Sequence, residues 1–270
     1  MGETYKLPGS FLFGSALILG ASSGMGEACA LELASCGVDI FGVHLDRRAT
    51  LPQVETITEK IKGYGREARF FNVNAADPEK RQFVLDEIER IVSPGSIRIL
   101  IHSLAFGTLK PFIASTESEA VSKAQMEMTL DVMANTLTYW TQDIVQRGLM
   151  GEGGSIYALT SAGSSRVWKT YGPVSAAKAA LESQVRQLAM ELGPKQISVN
   201  ALRAGVTDTP ALRKIPGSDG MIKIALNKNP RGRLTTPGDV AGVIALLSHP
   251  KAQWITGEVI GVDGGEYIVE

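Results

Sequence analysis

Gly20-Ala21-Ser22-Ser23-Gly24-Met25-Gly26 is the stretch that decides the fold. The aliphatic run at 16–19 before it reads as a strand, and 24–35 after it reads as a helix stopped by Gly37. Glycines spaced G-x-x-x-G-x-G at a strand-to-helix turn let the backbone approach a pyrophosphate. The first N–H groups of the helix supply positive potential for it. Alone, such a motif is a turn of small residues; placed between strand and helix, it becomes a candidate dinucleotide cradle.

Outward from this point, short apolar runs alternate with helical stretches. Strands are predicted at 38–45, 68–73, 97–101, 155–159, 197–201 and 258–262. Helices are predicted at 54–62, 78–91, 120–147, 173–192 and 240–247. This alternation predicts an α/β fold: a Rossmann-type doubly wound parallel sheet, three-layer α/β/α, in a single domain over 1–270. Residues 204–237 hold Gly205, Pro210, Pro216, Gly217, Gly220, Pro230 and Gly232 and read as an irregular, substrate-covering loop.

Bulk properties exclude several classes. The 270 residues are 44% hydrophobic with a net charge of -1, enough to bury a large core but without a field for nucleic acid or a membrane surface. No apolar run reaches the ~20 residues of a membrane span; the longest, 11–19, is broken by Gly14. The mixed charges of the opening residues argue against a signal peptide, and Lys6 occupies the position where a myristoylation signal wants Ser or Thr. Cys29 and Cys36 fall seven residues apart on one helix, too far for a disulfide, and read as buried thiols in a reducing cytoplasm. No acidic or cysteine residues stand at metal-ligand spacing from His44 and His249, so no metal site is expected.

Tyr171 and Lys178 stand in a Tyr-x6-Lys arrangement, two helical turns apart and so on one face. A lysine near a phenol favours the phenolate, and a tyrosine so placed can donate to a substrate oxygen that gains negative charge. Ser161, in Leu159-Thr160-Ser161-Ala162-Gly163, reads either as a turn cap or as a direct participant. Cofactor choice rests on Val43-His44-Leu45-Asp46-Arg47-Arg48: the position expected for an acid on the ribose 2′-OH holds His44, and Arg47 and Arg48 favour the 2′-phosphate of NADPH, with NADH as the alternative.

The ordered motifs resemble the short-chain dehydrogenase/reductase superfamily over 16–265. Asn74-Ala75 takes the place of a segment against the adenine, His102-Ser103-Leu104-Ala105-Phe106 follows the fourth strand, and 200–209 resembles the segment that wraps the nicotinamide. Val262-Asp263-Gly264-Gly265 is similar to the family's last signature. Tyr-x6-Lys, the His-Ser-Leu-Ala-Phe stretch, Asp131 where carbonyl reducers carry Asn, and Ala204-Gly205 all resemble the enoyl-acyl-carrier-protein reductase branch. Ser161 departs from the second tyrosine of many members of that branch and matches the serine of carbonyl-reducing relatives.

The resemblance implies catalytic Tyr171, Lys178 and Ser161. It implies cofactor contacts at Gly20, Ser22, Ser23, Gly24, Met25, Gly26, Arg47, Arg48, Asn74, Ala75, Ser103, Leu104, Ala105, Lys178, Ala204, Gly205, Val206 and Thr209. His102 is expected to be a local hydrogen-bonding residue, and Trp168 and Met221 are candidates for an acyl pocket. The activity implied is NADPH-dependent reduction of a trans-2-enoyl thioester carried on acyl-carrier protein or coenzyme A, in a cytoplasmic homotetramer joined through the helices at 120 and 173. The rivals are a carbonyl reductase acting on a 3-oxoacyl thioester or other ketone, and a non-catalytic dinucleotide sensor.

Overall fold

The computed structural model describes residues 12–270; the readings made of residues 1–11 lie outside them. Seven strands form one sheet: β1 (Ser15–Leu19), β2 (Asp39–His44), β3 (Ala68–Asn72), β4 (Ile97–His102), β5 (Ser155–Ser161), β6 (Ser198–Ala204) and β7 (Val259–Val262). All neighbours pair in parallel, in the order β3-β2-β1-β4-β5-β6-β7. The order reverses between β1 and β4, which opens a crevice outside their carboxyl ends, where such sheets bind ligands.

The pleat divides the strand residues between two cores. Ala16 and Ile18 of β1 pack with Cys29, Ala30 and Leu33 of α1 (Gly24–Ser35), Ile57 and Ile61 of α2 (Leu51–Gly63), and Val240 and Ile244 of α8 (Pro237–Leu247). Leu17 and Leu19 pack on the opposite face with Val84 and Ile88 of α3 (Pro78–Glu89), Leu137 and Trp140 of α5 (Thr136–Gln146), and Leu181 and Val185 of α6 (Gly172–Leu192). Each fully buried leucine or isoleucine contributes about 2 kcal/mol. Trp140 buries its ring completely and places its indole N–H on the Ala75 carbonyl at 2.9 Å, so no polar group is stranded. Both cysteines are buried and free, and burial, with the charge of Glu32, pushes the Cys29 thiol up to about 12.

Two expectations change. The single helix predicted over 120–147 is α4 (Lys123–Leu130), a π-helical turn (Asp131–Asn135) and α5. Residues 204–237 are not irregular throughout: α7 (Ser218–Lys228) lies within them. Gly217, at φ 80°, sets the chain into α7, and Asn229 ends it. Among the described residues no helix is long and apolar enough to cross a membrane, and no group of three or more His, Cys, Asp or Glu is placed to hold a metal.

Candidate active site

The glycine loop leaves β1 in a conformation few residues tolerate. Gly20 has φ 89°, and a Cβ there would stand 2.4 Å from the Ser103 carbonyl oxygen. A Cβ on Gly26 would stand 2.0 Å from the Gly20 carbonyl oxygen, so α1 packs against the loop only with glycine there. The Ser103 N–H donates to the Leu19 carbonyl at 2.8 Å, which holds the end of β4 against the end of β1. On the other side, the Thr209 side chain lies 3.5 Å from where a Cβ of Gly24 would be. Ser103, Leu104 and Thr209 therefore gather around the loop that carries Ser22, Ser23 and Met25.

The start of α1 is left open. Ser23 is its N-cap, yet its side chain makes no capping bond. Asp77 caps α3, and α4 and α8 carry complete capping boxes, Ser122 with Gln125 and Thr236 with Asp239, whereas α2, α5, α6 and α7, like α1, start without a side-chain cap. Unsatisfied N–H groups beside a glycine cradle fit a pyrophosphate.

Just beyond the end of β2 stands Asp46, two residues past the position expected for the selective acid and beside Arg47 and Arg48. Its carboxylate accepts from Thr50 Oγ1 at 2.6 Å and pairs with His44 Nδ1 at 2.9 Å. Burial raises its pKa, but hydrogen bonding from Ser22, Thr50 and His44 more than offsets this and leaves it below the usual carboxylate value. Asp46 thus faces the glycine loop through Ser22, a tertiary contact that local spacing does not reveal. Arg47 and Arg48 are exposed. Asn74 closes a short turn by accepting from the Ala76 N–H at 3.0 Å, and Ala75 is buried beneath Trp140. Ala105 is exposed beyond the end of β4.

The second half of the site lies between β5 and α6. Tyr171 is the N-cap of α6, and Lys178 lies two turns into the helix. Thr170, immediately before Tyr171, has φ 65°, a region β-branched residues rarely occupy. The Tyr171 ring packs with Met133, Val174 and Ala177, and Gly163 is pressed so close that a Cβ there would meet the ring at 2.5 Å. Burial raises the phenol's pKa, and hydrogen bonding with Ser161 lowers it part of the way back.

Ser161 caps the turn, its Oγ accepting from the Gly163 N–H at 3.3 Å, and its hydroxyl also hydrogen-bonds with Tyr171. The expected effect of Lys178 on the phenol is corrected. The ammonium donates instead to the Leu159 carbonyl at 2.6 Å and the Leu104 carbonyl at 3.4 Å. Burial lowers its own pKa to about 8, against the charge of Glu182.

His102 is fully buried, and its Nε2 lies 2.8 Å from Thr136 Oγ1. The Thr136 hydroxyl donates its proton to the Val132 carbonyl at 2.9 Å, so His102 Nε2 is the donor and Nδ1 carries a lone pair without a partner. Burial and the charge of Lys178 hold His102 down to about 3, so it is neutral. Asp131 opens the π turn; burial raises its pKa, opposed by Arg81. Such turns recur at functional sites.

Apolar groups rim Tyr171. The Phe112 ring covers Gly172, and Trp168 donates to the Pro216 carbonyl at 3.3 Å, which ties the β5–α6 loop to the segment before α7. On the other side, Val206 donates its N–H to the Glu266 carboxylate at 3.1 Å, and Gly205 donates to the Val262 carbonyl at 3.2 Å. Glu266 lay outside the motifs the sequence offered.

The glycine loop, the buried Lys178 and Ser161 beside Tyr171 lie on one parallel sheet, and both the chain and its fold resemble known proteins. A family model described as enoyl-(acyl carrier protein) reductase matches residues 20–266. The chain belongs to the short-chain dehydrogenase/reductase family. It is therefore an oxidoreductase. It is 30% identical over 264 residues to a cyclohexanol dehydrogenase of Rhodococcus sp., covering 93% of this chain and 94% of that protein. It is 34% identical over 200 residues to an NADH-dependent enoyl-acyl-carrier-protein reductase of Nostoc sp., covering 74% of this chain and 75% of that one. A short-chain dehydrogenase of Burkholderia cenocepacia, solved in complex with NADP, superposes with a TM-score of 0.80 at 25% identity, over 95% of this chain and 99% of that chain.

Proposed function

We propose that this short-chain reductase saturates the carbon–carbon double bond of a trans-2-enoyl thioester at the expense of NADPH. The observation that carries the reading is Tyr171 at the head of α6 with Lys178 six intervening residues later, the phenol set in an apolar nest of Met133, Val174 and Ala177. The match to the enoyl reductase family model and the likeness to the Nostoc reductase support it.

Bound at the open start of α1, the dinucleotide would supply a hydride equivalent to the β-carbon. Tyr171, kept protonated by burial, donates a hydrogen bond to the thioester oxygen as negative charge develops there. Lys178 has three N–H donors; two hold the Leu159 and Leu104 carbonyls, and the third would be free to hold a ribose hydroxyl of the dinucleotide. Exposed Arg47 and Arg48 favour a 2′-phosphate, whereas Asp46 facing Ser22 favours a 2′-hydroxyl; NADPH is our assignment and NADH the competitor. Segment 204–237, with α7 inside it, covers the acyl chain, which arrives on acyl-carrier protein or coenzyme A, and the protein works as a homotetramer joined through α6 and the α4–α5 stretch.

The contact of Ser161 with Tyr171 favours a second reading, reduction of a 3-oxoacyl thioester or other ketone, and the likeness to a cyclohexanol dehydrogenase agrees with it. The test is consumption of NADPH and NADH with a trans-2-enoyl thioester beside the matching 3-oxoacyl thioester. Faster enoyl turnover is expected; turnover of the 3-oxo compound alone makes the chain a carbonyl reductase, and dinucleotide binding without any turnover makes it a sensor. Tyr171→Phe should cost on the order of 3 kcal/mol of transition-state stabilisation while dinucleotide affinity stays unchanged.

A further inference from the structure

The segment after β7 reaches back over the site and touches three parts of it. Asp263 shapes its turn by accepting from the Gly265 N–H at 2.9 Å and the Tyr267 N–H at 3.3 Å. From that turn the Glu266 carboxylate accepts the Val206 N–H at 3.1 and 3.3 Å. Gly205 makes room for this approach: a Cβ there would stand 2.9 Å from Glu266 Oε2 and 2.4 Å from Thr235 Oγ1.

The next residue, Tyr267, lies under two guanidinium groups, Arg203 at 3.8 Å and Arg166 at 4.3 Å from its ring centroid. Its hydroxyl is 2.9 Å from Ser165 Oγ, and Arg166 donates to its carbonyl. Arg203 buries an Nε–H that finds no hydrogen-bond partner, so contact with the Tyr267 ring is part of what holds this guanidinium. The segment is tied to the end of α7 as well: Lys228 Nζ donates to the Val269 carbonyl at 3.5 Å, and Asn229 Nδ2 to the Asp263 carbonyl at 2.9 Å.

We infer that Glu266 and Tyr267 are positioning residues of the active site, fastening the segment at 204–206 and the loop that follows Ser161 to each other and to the end of α7. Glu266 acts through the Val206 peptide, and Tyr267 acts through Arg166 and Ser165, five and four residues beyond Ser161 in the chain. Neither residue belongs to the glycine, serine, tyrosine or lysine motifs. The inference rests on the reading above in one respect, that 204–206 lie against the nicotinamide.

The test needs no knowledge of the substrate. Dinucleotide affinity is measured by fluorescence titration with NADPH and NADH for the full chain and for Glu266→Ala, Glu266→Gln, Tyr267→Ala and Tyr267→Phe, each with its thermal unfolding midpoint. Both alanine variants should weaken the preferred dinucleotide by about tenfold with the midpoint held within a few degrees. Gln at 266 keeps an oxygen acceptor for Val206, and Phe at 267 keeps the ring between the guanidinium groups; both should restore most of the affinity. Unchanged affinity in the alanine variants overturns the inference and leaves the functional reading standing. Equal loss in all four variants with a falling midpoint also overturns it, because the role is then structural. Wild-type protein that binds neither dinucleotide overturns both.

Discussion

Helices α1 and α8 lie side by side on one face of the sheet and start at the same edge, yet their first turns differ. At α8, Thr236 Oγ1 accepts from the Asp239 N–H at 3.2 Å, Asp239 accepts from the Thr236 N–H at 2.8 Å, and Arg233 grips the same carboxylate at 2.6 and 2.8 Å. At α1, Ser23 is of the right type to cap and does not. A serine costs nothing to point inward, so its failure to cap leaves backbone donors for a ligand. One helix start completes the scaffold; the other is held in reserve for chemistry.

The comparison can be broken most severely at Gly26. Gly26→Ala drives a methyl group into the Gly20 carbonyl, a backbone atom that cannot swing away. A loss of about 3 kcal/mol in urea unfolding, with dinucleotide binding abolished, is expected. Ser23→Asp would close α1 as α8 is closed. The ligand-free protein should gain about 0.5 kcal/mol, while affinity for the dinucleotide falls at least about tenfold because a carboxylate meets the pyrophosphate. Unchanged affinity in a fluorescence titration would remove the start of α1 from the binding site. Thr236→Ala opens α8 and should cost about 1 kcal/mol in urea unfolding with no change in dinucleotide affinity.

The smallest effect is the pH dependence of the α8 cap. Hydrogen bonding from Arg233 holds Asp239 well below the ordinary carboxylate range, against a desolvation that raises it. A depressed carboxylate contributes stability above its unfolded pKa of about 4 and loses it as pH falls through the folded value. Unfolding curves of wild type and Asp239→Asn should therefore differ near neutrality and converge in strong acid. A constant gap at every pH would show that the charge of Asp239 plays no part.

What the sequence disclosed follows from the range of each interaction. Strand and helix alternation, the glycine loop and the Tyr171-Lys178 pair are patterns within a few residues, and their spacing is legible. The segment around α7 was misread because Pro216-Gly217 and Asn229-Pro230 look like loop punctuation, and Gly220 sits inside; they are in fact the brackets of an 11-residue helix. Asp46 beside Ser22, Glu266 on Val206 and the Leu159 and Leu104 carbonyls on Lys178 join positions 19 to 74 residues apart, and only the folded sheet brings them together. The reach of Lys178 was misjudged for the same reason: helical spacing places a side chain on a face but does not say which carbonyl awaits it.

The π turn at Asp131–Asn135 carries a consequence for the register of everything after it. A π turn holds one residue more than an α turn, and one residue is worth 100° of helical rotation. Shortening the chain by a single residue between 131 and 135 would let α4 run straight into α5 and turn α5 by that angle about its axis. Thr136 would swing away from His102, and Trp140 would leave the Ala75 carbonyl and the core. The extra residue sets the phase of the helix, so a family-wide gap or insertion at this point would mark chains whose histidine and tryptophan can no longer occupy these places.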